Sequence, residues 1–217
     1  MIGIDFGSHS IKAVAISKGK GTFQIDAVAE APIPKGLIVD NHFEDIAKLT
    51  QIIKQLRKNF PTSYKNVAMA VKGADVITKV IAMNADLDEL ELESQVELEA
   101  ENSIPFPIDE IFLDFEIIAP NAADKSLNDV LLSAARRETV LAQVNCVEDA
   151  GLTTKIVDVA GHAQSRACEL LFDRPDYEKG IAIVDIGASQ MMLHIVHQGN
   201  VIFSRSKNHG GAYFVHK

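Results

Sequence analysis

Apolar residues follow two different periods along the chain, and these predict a mixture of strands and helices. Short apolar or alternating runs that end at glycine, proline or polar clusters are typical of strands. Such runs occupy residues 2–6, 11–16, 23–29, 67–71, 76–83, 111–119, 129–135, 154–158, 181–186, 191–196 and 201–204. Apolar residues spaced three and four positions apart predict helices over residues 44–59, 90–103, 139–150 and 159–172. The expected fold class is therefore α/β.

The order of the predicted elements suggests an inserted small unit. Residues 75–158 follow the order β-α-β-β-α-β, which is typical of a small split α+β module. The two prolines of the segment 104–107 end its first helix, because proline cannot continue a helix. Residues 1–74 and 159–176 are then expected to form a first subdomain, and residues 177–217 to begin a second one.

Composition narrows the class of protein. The chain has 217 residues, a formal charge of −9 and 47% hydrophobic residues, as expected of a globular protein with one large or two small domains. The acidic balance argues against binding to nucleic acid or to anionic lipid. The two cysteines form no CxxC pair, and no apolar run approaches the roughly 20 residues that span a bilayer. With no leader pattern at the start, these features predict a soluble cytoplasmic protein.

An internal repeat is the strongest functional signal. Residues 4–23 align without a gap with residues 184–203. The two segments read IDFGSHSIKAVAISKGKGTF and VDIGASQMMLHIVHQGNVIF, and the identical pairs are Asp5 with Asp185, Gly7 with Gly187, Gly19 with Gly199 and Phe23 with Phe203. Both read as strand, tight turn and strand, which predicts two halves of one architecture. Two hairpins that are alike by chance remain the alternative.

The repeated hairpin has the chemistry of a phosphate site. Glycine lets a turn approach a ligand closely, and successive backbone N–H groups in a turn bind an anion. The hydroxyls of Ser8, Ser10 and Ser189 are candidate donors, and Lys12 is a candidate positive charge or a solvent-facing strand residue. Because Mg²⁺ prefers oxygen ligands and keeps most of its waters, Asp5 and Asp185 are candidate holders of a hydrated ion. Taken singly, each aspartate also fits a strand-end cap.

Several motifs together resemble the actin-like ATPase (ribonuclease H-like) fold, and more narrowly the PilM family of type IV pilus assembly proteins. They include GIDFGS at 3–8, VITK at 76–79, IPFP at 104–107, DFE at 114–116, DVLL at 129–132, AGL at 150–152 and VDV at 157–159. The resemblance runs from residue 1 to about residue 211.

The resemblance implies a nucleotide-binding scaffold that uses ATP and Mg²⁺. The residues implied in nucleotide binding are Asp5, Gly7, Ser8, Ser10, Lys12, Asp185, Gly187, Ala188, Ser189, Gly210 and Gly211, with Asp5 and Asp185 holding the metal through water. The implied partner is the N-terminal cytoplasmic peptide of the inner-membrane protein PilN, which would keep the protein at the inner face of that membrane. Phe106 is the candidate peptide-binding residue, although it equally fits a core anchor in a rigid turn.

Enzymatic function is the alternative that the resemblance leaves open. A kinase or turnover ATPase of this fold needs a base near the terminal phosphate, and no residue is assigned that role; at most weak ATPase activity is expected. His162 and Gln164 open a predicted helix where the wider fold can place a polar residue that orients water, but a simple polar helix start is the preferred interpretation.

The acidic residues of segment 89–101 are interpreted as a solvated face. His194, His197 and His209 are not expected to form a metal site.

The last residues depart from the family pattern. Asn208 to Gly211 resembles the glycine pair that precedes a helix in the family, but residues 212–217 do not read as that helix. The family normally continues through a subdomain that holds adenine and ribose, so the chain is expected to be a truncated form or a fragment. Weak or absent ATP binding and self-association through the last strands are the expectations that follow.

Overall fold

The computed structural model describes residues 1–19, 21–171 and 180–215. The chain divides into two compact units, a larger one of Met1–Gly73 with Leu141–Lys217 and a smaller one of Ala74–Val140. The strands are β1 Ile2–Phe6, β2 Ser10–Lys18, β3 Phe23–Pro32, β4 Ile38–Val39, β5 His42–Phe43, β6 Asn66–Val71, β7 Val76–Asn84, β8 Ile111–Pro120, β9 Leu127–Arg136, β10 Thr153–Val159, β11 Ile181–Ile186, β12 Met191–His197 and β13 Asn200–Lys207. The helices are α1 Ile46–Arg57, α2 Glu89–Ser103, α3 Arg137–Glu148, α4 Ala160–Leu171 and α5 Gly211–Val215.

The larger unit is built on a mixed five-stranded sheet in the order β10-β6-β1-β2-β3. The strands β10, β6 and β1 are parallel, and β2 and β3 continue as antiparallel neighbours. Alternate residues Ile2, Ile4 and Phe6 are buried, as expected of a strand with one face on the core. Their neighbours in the core come from α1 and from the end of α3: Leu49, Ile53, Leu56, Cys146 and Val147. The carboxyl ends of the parallel strands therefore lie at one edge of the sheet.

A second sheet of the larger unit has the antiparallel order β11-β12-β13. Met192, His194 and Val196 are buried on one face of this sheet. On the opposite face Val184 and Phe203 stay exposed, at 55% and 47%.

The smaller unit is an antiparallel sheet of order β7-β9-β8 with α2 packed on one face. Leu92, Val96 and Ala100 of α2 form its core with alternate residues of β9. Asp88 starts α2 through a capping box with Glu91, because each side chain accepts from the other's backbone amide. This regular start fixes the helix against the sheet.

The predicted extent of the smaller unit is wrong at its C-terminal end. The unit ends at Val140, not at residue 158. Strand β10 and most of helix α3, which were expected to complete a β-α-β-β-α-β order, belong instead to the larger unit, because β10 pairs with β6 and Val147 is buried in the larger core. The expected boundary between residues 176 and 177 and the predicted helix end at residue 172 lie outside the described residues.

Two short elements were not predicted. The β4–β5 hairpin turns through Asp40 and Asn41 at φ values of 50° and 69°, a backbone that these two residue types tolerate. The α5 helix forms over Gly211–Val215, so the expectation that this segment is not helical is wrong.

Within the described residues no helix is both long and apolar enough to cross a membrane.

Candidate functional site

A cavity of about 250 Å³ opens in the larger unit between the loop that follows β1 and the loop that follows β11. It brings together most of the residues that the repeat singled out. Its lining residues are Asp5, Phe6, Gly7, Ser8, His9, Ser10, Lys12, Glu30, Ile38, Asn41, Lys72, Asp185, Ile186, Gly187, Ala188, Ser189, Gln190 and Met192.

The two loops that face the cavity have the same backbone design. The amide of Gly7 donates to the carbonyl of Ser10 at 3.1 Å, and the amide of Gly187 donates to the carbonyl of Gln190 at 2.9 Å. A Cβ atom would lie 2.8 Å from the accepting oxygen at Gly7, which is too close for any other residue without a shift of the turn, and 3.1 Å from it at Gly187, which is a tight contact. The repeat seen in the sequence is thus a repeat of local structure.

The central residues of the loops leave backbone donors free. Among the described residues, no backbone group accepts a hydrogen bond from the amides of Ser8, His9, Ala188 or Ser189. Free N–H groups in tight turns at the wall of one cavity are the arrangement that binds an anion. The hydroxyl of Ser189 also donates to the hydroxyl of Ser8 at 2.8 Å, which joins the two loops directly.

Each aspartate of the repeat has a partner. Nζ of Lys72, the residue that follows β6, lies 3.1 Å from Oδ1 of Asp5. The side-chain amide of Gln164 in α4 donates to Oδ2 of Asp185 at 2.8 Å. Lys72 was not predicted as a site residue. The signal for it was its position directly after a buried strand parallel to β1, since such strand ends share one sheet edge.

Ser10 and Lys12 lie at the wall in different ways. The side chain of Ser10 is buried and donates to Oε1 of Glu30 at 2.6 Å, so this hydroxyl already has an acceptor. Lys12 is exposed and lies opposite Asp5 on β1 and Glu30 on β3 in the sheet register. A row of alternating charge therefore crosses three strands at the cavity.

Gly210 and Gly211 support the second loop and do not line the cavity. The amide of Gly211 donates to the carbonyl of Gly187 at 2.8 Å, and that of Ala212 donates to the carbonyl of Ala188 at 3.0 Å. A Cβ atom on Gly210 would lie 2.5 Å from the backbone of Ala188. The start of α5 is therefore fixed directly against this loop.

Asn208 links the same region to the β4–β5 turn. Its side chain accepts from Gln190 at 3.1 Å and donates to Asp40 at 3.1 Å. Gly73 makes room there for Asn41, since a Cβ atom would lie 2.2 Å from the amide nitrogen of Asn41. The wall formed by the second loop is thereby tied to the β4–β5 hairpin.

His194 is a buried titratable group behind the second loop. Its Nδ1 lies 2.8 Å from the hydroxyl of Ser204, and its ring packs on Gly161, where a Cβ atom would lie 2.7 Å from Nδ1. Burial lowers the pKa of His194, against the opposing influence of Asp185. His194 is thus a neutral packing residue near neutral pH.

Phe106 lies in the smaller unit and is partly buried against the core of that unit. The guanidinium of Arg136 stacks over its ring at 5.1 Å from the centroid. This packing agrees with a core anchor, and the ring remains partly exposed.

The two aspartates of the cavity offer carboxylate oxygens to a cation. Among the described residues there is no group of three or more histidine, cysteine, aspartate or glutamate side chains placed to hold a metal. Asp5 and Asp185 each have one oxygen engaged by a neighbouring side chain. Two carboxylates with one oxygen to spare fit Mg²⁺, which is commonly held by one or two carboxylates, waters and phosphate oxygens.

The comparison with known families agrees with the repeat and the fold. A family model described as "Type IV pilus assembly protein PilM" matches residues 3–217. The chain belongs to the PilM family. The family expectation from the sequence is therefore confirmed. The likeness to solved proteins of the actin-like ATPase fold confirms the expected fold, with the small α+β unit Ala74–Val140 within it.

Three solved structures place the PilM-family chain among its structural relatives. A chain of a PilM–PilN type IV pilus biogenesis complex is 28% identical, with a TM-score of 0.82 over 98% of this chain and 62% of that chain. A Bacteroides thetaiotaomicron protein with an actin-like ATPase fold is 10% identical, with a TM-score of 0.50 over 99% of this chain and 72% of that chain. The cytoplasmic domain of EpsL, an inner-membrane component of the type II secretion system of Vibrio cholerae, is 10% identical. Its TM-score is 0.55 over 95% of this chain and 70% of that chain. The last two likenesses concern the fold alone. The chain spans about 62% of the solved PilM chain.

Proposed function

We propose that this PilM-family chain is a nucleotide-dependent scaffold of type IV pilus assembly, which holds the phosphates of Mg-ATP between its two hairpin loops. The observation that carries the proposal is the pair of matching loops at one cavity, each with free amides and each preceded by an aspartate. Such amides bind phosphate oxygens without needing a net positive site. The aspartates supply the oxygen ligands that a nucleotide's cation requires.

In this scheme the residues have separate tasks. The loop amides and the Ser8 and Ser189 hydroxyls bind phosphate oxygens, and Lys12 neutralises part of the charge. Asp5 and Asp185 hold Mg²⁺ through its waters, and the ion neutralises phosphate charge when bound. Gly187 and Gly210 keep the second loop close to its support. No residue is assigned as a catalytic base, so nucleotide binding, with at most weak hydrolysis, is the proposed activity.

The proposed partner is the N-terminal peptide of an inner-membrane PilN protein, which would hold the scaffold at the cytoplasmic face of that membrane. Membership of the PilM family and the likeness to a chain solved in complex with PilN support this part. A bound nucleotide would favour one arrangement of the scaffold and so change the affinity for the partner. Phosphate transfer to a small substrate, as in sugar kinases, is the alternative, and no observation favours it.

Calorimetry with Mg-ATP tests the nucleotide part. We expect saturable binding to the wild type and weaker binding to both Asp5→Ala and Asp185→Ala, with unchanged circular dichroism. Asp149→Ala, at an exposed aspartate just beyond α3, is the control and should bind as the wild type does. Equal affinity in all four proteins would show that the repeat is structural only.

A further inference from the structure

Lys72 is a charged residue of the cavity that the repeated hairpins do not account for. It follows β6, which belongs to neither repeat, and yet its ammonium group lines the cavity beside Asp5. The side chain of Lys72 is 22% exposed, whereas that of Asp5 is 60% exposed. The cation is therefore the more buried member of the pair.

The ion pair with Asp5 is a weak reason to bury this lysine. A pair with a largely exposed partner contributes little to stability, and ordering a lysine side chain costs conformational entropy. Asp5 would remain hydrated without Lys72, since most of its side chain is exposed. A ligand of the cavity gives a stronger reason for the ammonium group to be there.

The groups around Lys72 suit a polyphosphate ligand, and Lys72 itself is paired with the carboxylate of Asp5. The cavity wall combines the free loop amides with two lysines, Lys12 and Lys72, and three carboxylates, Asp5, Glu30 and Asp185. Lysine carries a compact charge on a flexible four-carbon stem, so its ammonium group can change partner without a change in the backbone. The ammonium group of Lys72 neutralises part of the carboxylate charge that would attract a hydrated cation to Asp5, so Lys72 and the cation compete for this residue.

We propose that Lys72 is a phosphate-binding residue of this cavity, and that its ion pair with Asp5 is the resting arrangement. When a polyphosphate enters with its divalent cation, Asp5 turns to the hydrated cation and Lys72 moves to a phosphate oxygen. The proposal rests on the nucleotide-binding function proposed above. It adds a recognition residue outside the two loops and an exchange of partners within the site.

Inorganic tripolyphosphate, titrated by calorimetry in MgCl₂, tests phosphate recognition without the influence of adenine. Lys72→Met removes the charge at similar length and is expected to weaken binding about tenfold or more, which is the usual effect of one charge-assisted hydrogen bond. Lys72→Arg keeps the charge and should lose less. Lys54→Met, at an exposed lysine of α1, is the matched control and should leave the affinity unchanged.

Tripolyphosphate titrated in EDTA tests the exchange of partners. Asp5→Asn releases Lys72, so we expect tighter binding than in the wild type. That gain should be smaller in the Lys72→Met background, where no ammonium group is released. An equal gain in both backgrounds would overturn the exchange, because it would reflect only the lost repulsion of a carboxylate.

The outcomes separate this inference from the proposed function. A wild type that binds neither Mg-ATP nor tripolyphosphate would overturn both. A wild type that binds, together with Lys72→Met binding equally well, would overturn the role of Lys72 alone. Thermal unfolding of each variant verifies that a changed affinity reflects the site and not the fold.

Discussion

The side-chain amide of Gln164 in α4 donates a 2.8 Å hydrogen bond to Oδ2 of Asp185 at the end of β11. This contact joins the helix that follows the first sheet to the second aspartate of the repeat. Gln164 therefore positions the carboxylate, which is a more definite role than the polar helix start preferred from the sequence.

We expect Gln164→Leu to weaken Mg-ATP binding by roughly two- to tenfold, because the net value of one neutral hydrogen bond is about 0.5–1.5 kcal/mol. The free energy of unfolding should change little, since Asp185 is only partly buried. Calorimetry measures the first quantity and urea unfolding the second. Gln51→Leu, on the exposed face of α1, is the control. Unchanged affinity in the folded Gln164 variant would leave Gln164 as a helix residue with no role in the site.

Gly210 and Gly211 offer a matched pair for testing the support of the second loop. A Cβ atom on Gly210 would lie 2.5 Å from the backbone of Ala188, whereas one on Gly211 would lie 3.8 Å from the carbonyl oxygen of Gly187. Gly210→Ala must therefore shift the loop and should reduce Mg-ATP affinity at least tenfold, with a lower melting temperature. Gly211→Ala should be tolerated in both measurements. If both variants behave alike, the loop does not depend on this contact.

The sequence predicted the strands and turns whose pattern of apolar residues and glycines matches their burial in the structure. Ile2, Ile4 and Phe6 alternate as a half-buried strand requires, and the glycine turns after Asp5 and Asp185 recur in register. The extent of the smaller unit was not predictable, because β10 reads as a strand whichever sheet it joins. Only its pairing with β6, about 90 residues earlier in the chain, assigns it to the larger unit.

The sequence predicted the loop residues of the candidate site, but it did not predict the side chains that contact them. The glycines and aspartates of the loops could be recognised from the sequence, because a turn depends on the few residues that form it. Lys72 and Glu30 reach the cavity through the order of strands in the sheet, which no local pattern reports. The hydroxyl of Ser10 was expected to be a ligand donor, but the neighbouring strand supplies Glu30 as its acceptor.

Phe106 is the candidate contact for the PilN peptide, and its packing requires a matched control. Both Phe106 and Ile108 are partly buried against the core of the smaller unit. Burying a phenylalanine contributes about 1.5–3 kcal/mol, so Phe106→Ala should weaken binding of a labelled PilN N-terminal peptide about tenfold or more. Ile108→Ala should destabilise the unit without this loss. Peptide affinities that fall equally in both variants would assign the effect to folding.

Burial of His194 predicts that stability depends on pH. The pKa of His194 is lowered in the folded protein, while an unfolded histidine titrates near 6.5. Below about pH 6.5 the unfolded chain therefore binds more protons, and the free energy of unfolding falls by at most about 1.4 kcal/mol per pH unit from this group. Urea unfolding at pH 7.5 and pH 5.5 should show a smaller fall in His194→Gln than in the wild type. His197→Gln, at a partly exposed ring on the same strand, should retain the wild-type fall.

The exposed face of the second sheet predicts self-association. Val184 and Phe203 lie on this face, and their side chains are 55% and 47% exposed, which is high for large apolar residues on strands. Burial of this face against a second copy would remove apolar area from water, and the strands at the sheet edges offer backbone groups for pairing.

Light scattering over a range of protein concentrations should show a mass that rises with concentration. Val184→Lys and Phe203→Lys should each reduce that rise, whereas Leu90→Lys, at a 74% exposed residue of α2, should not. A constant monomer mass for the wild type at every concentration would contradict the prediction, and an equal effect of all three lysines would assign the change to net charge instead of to this face.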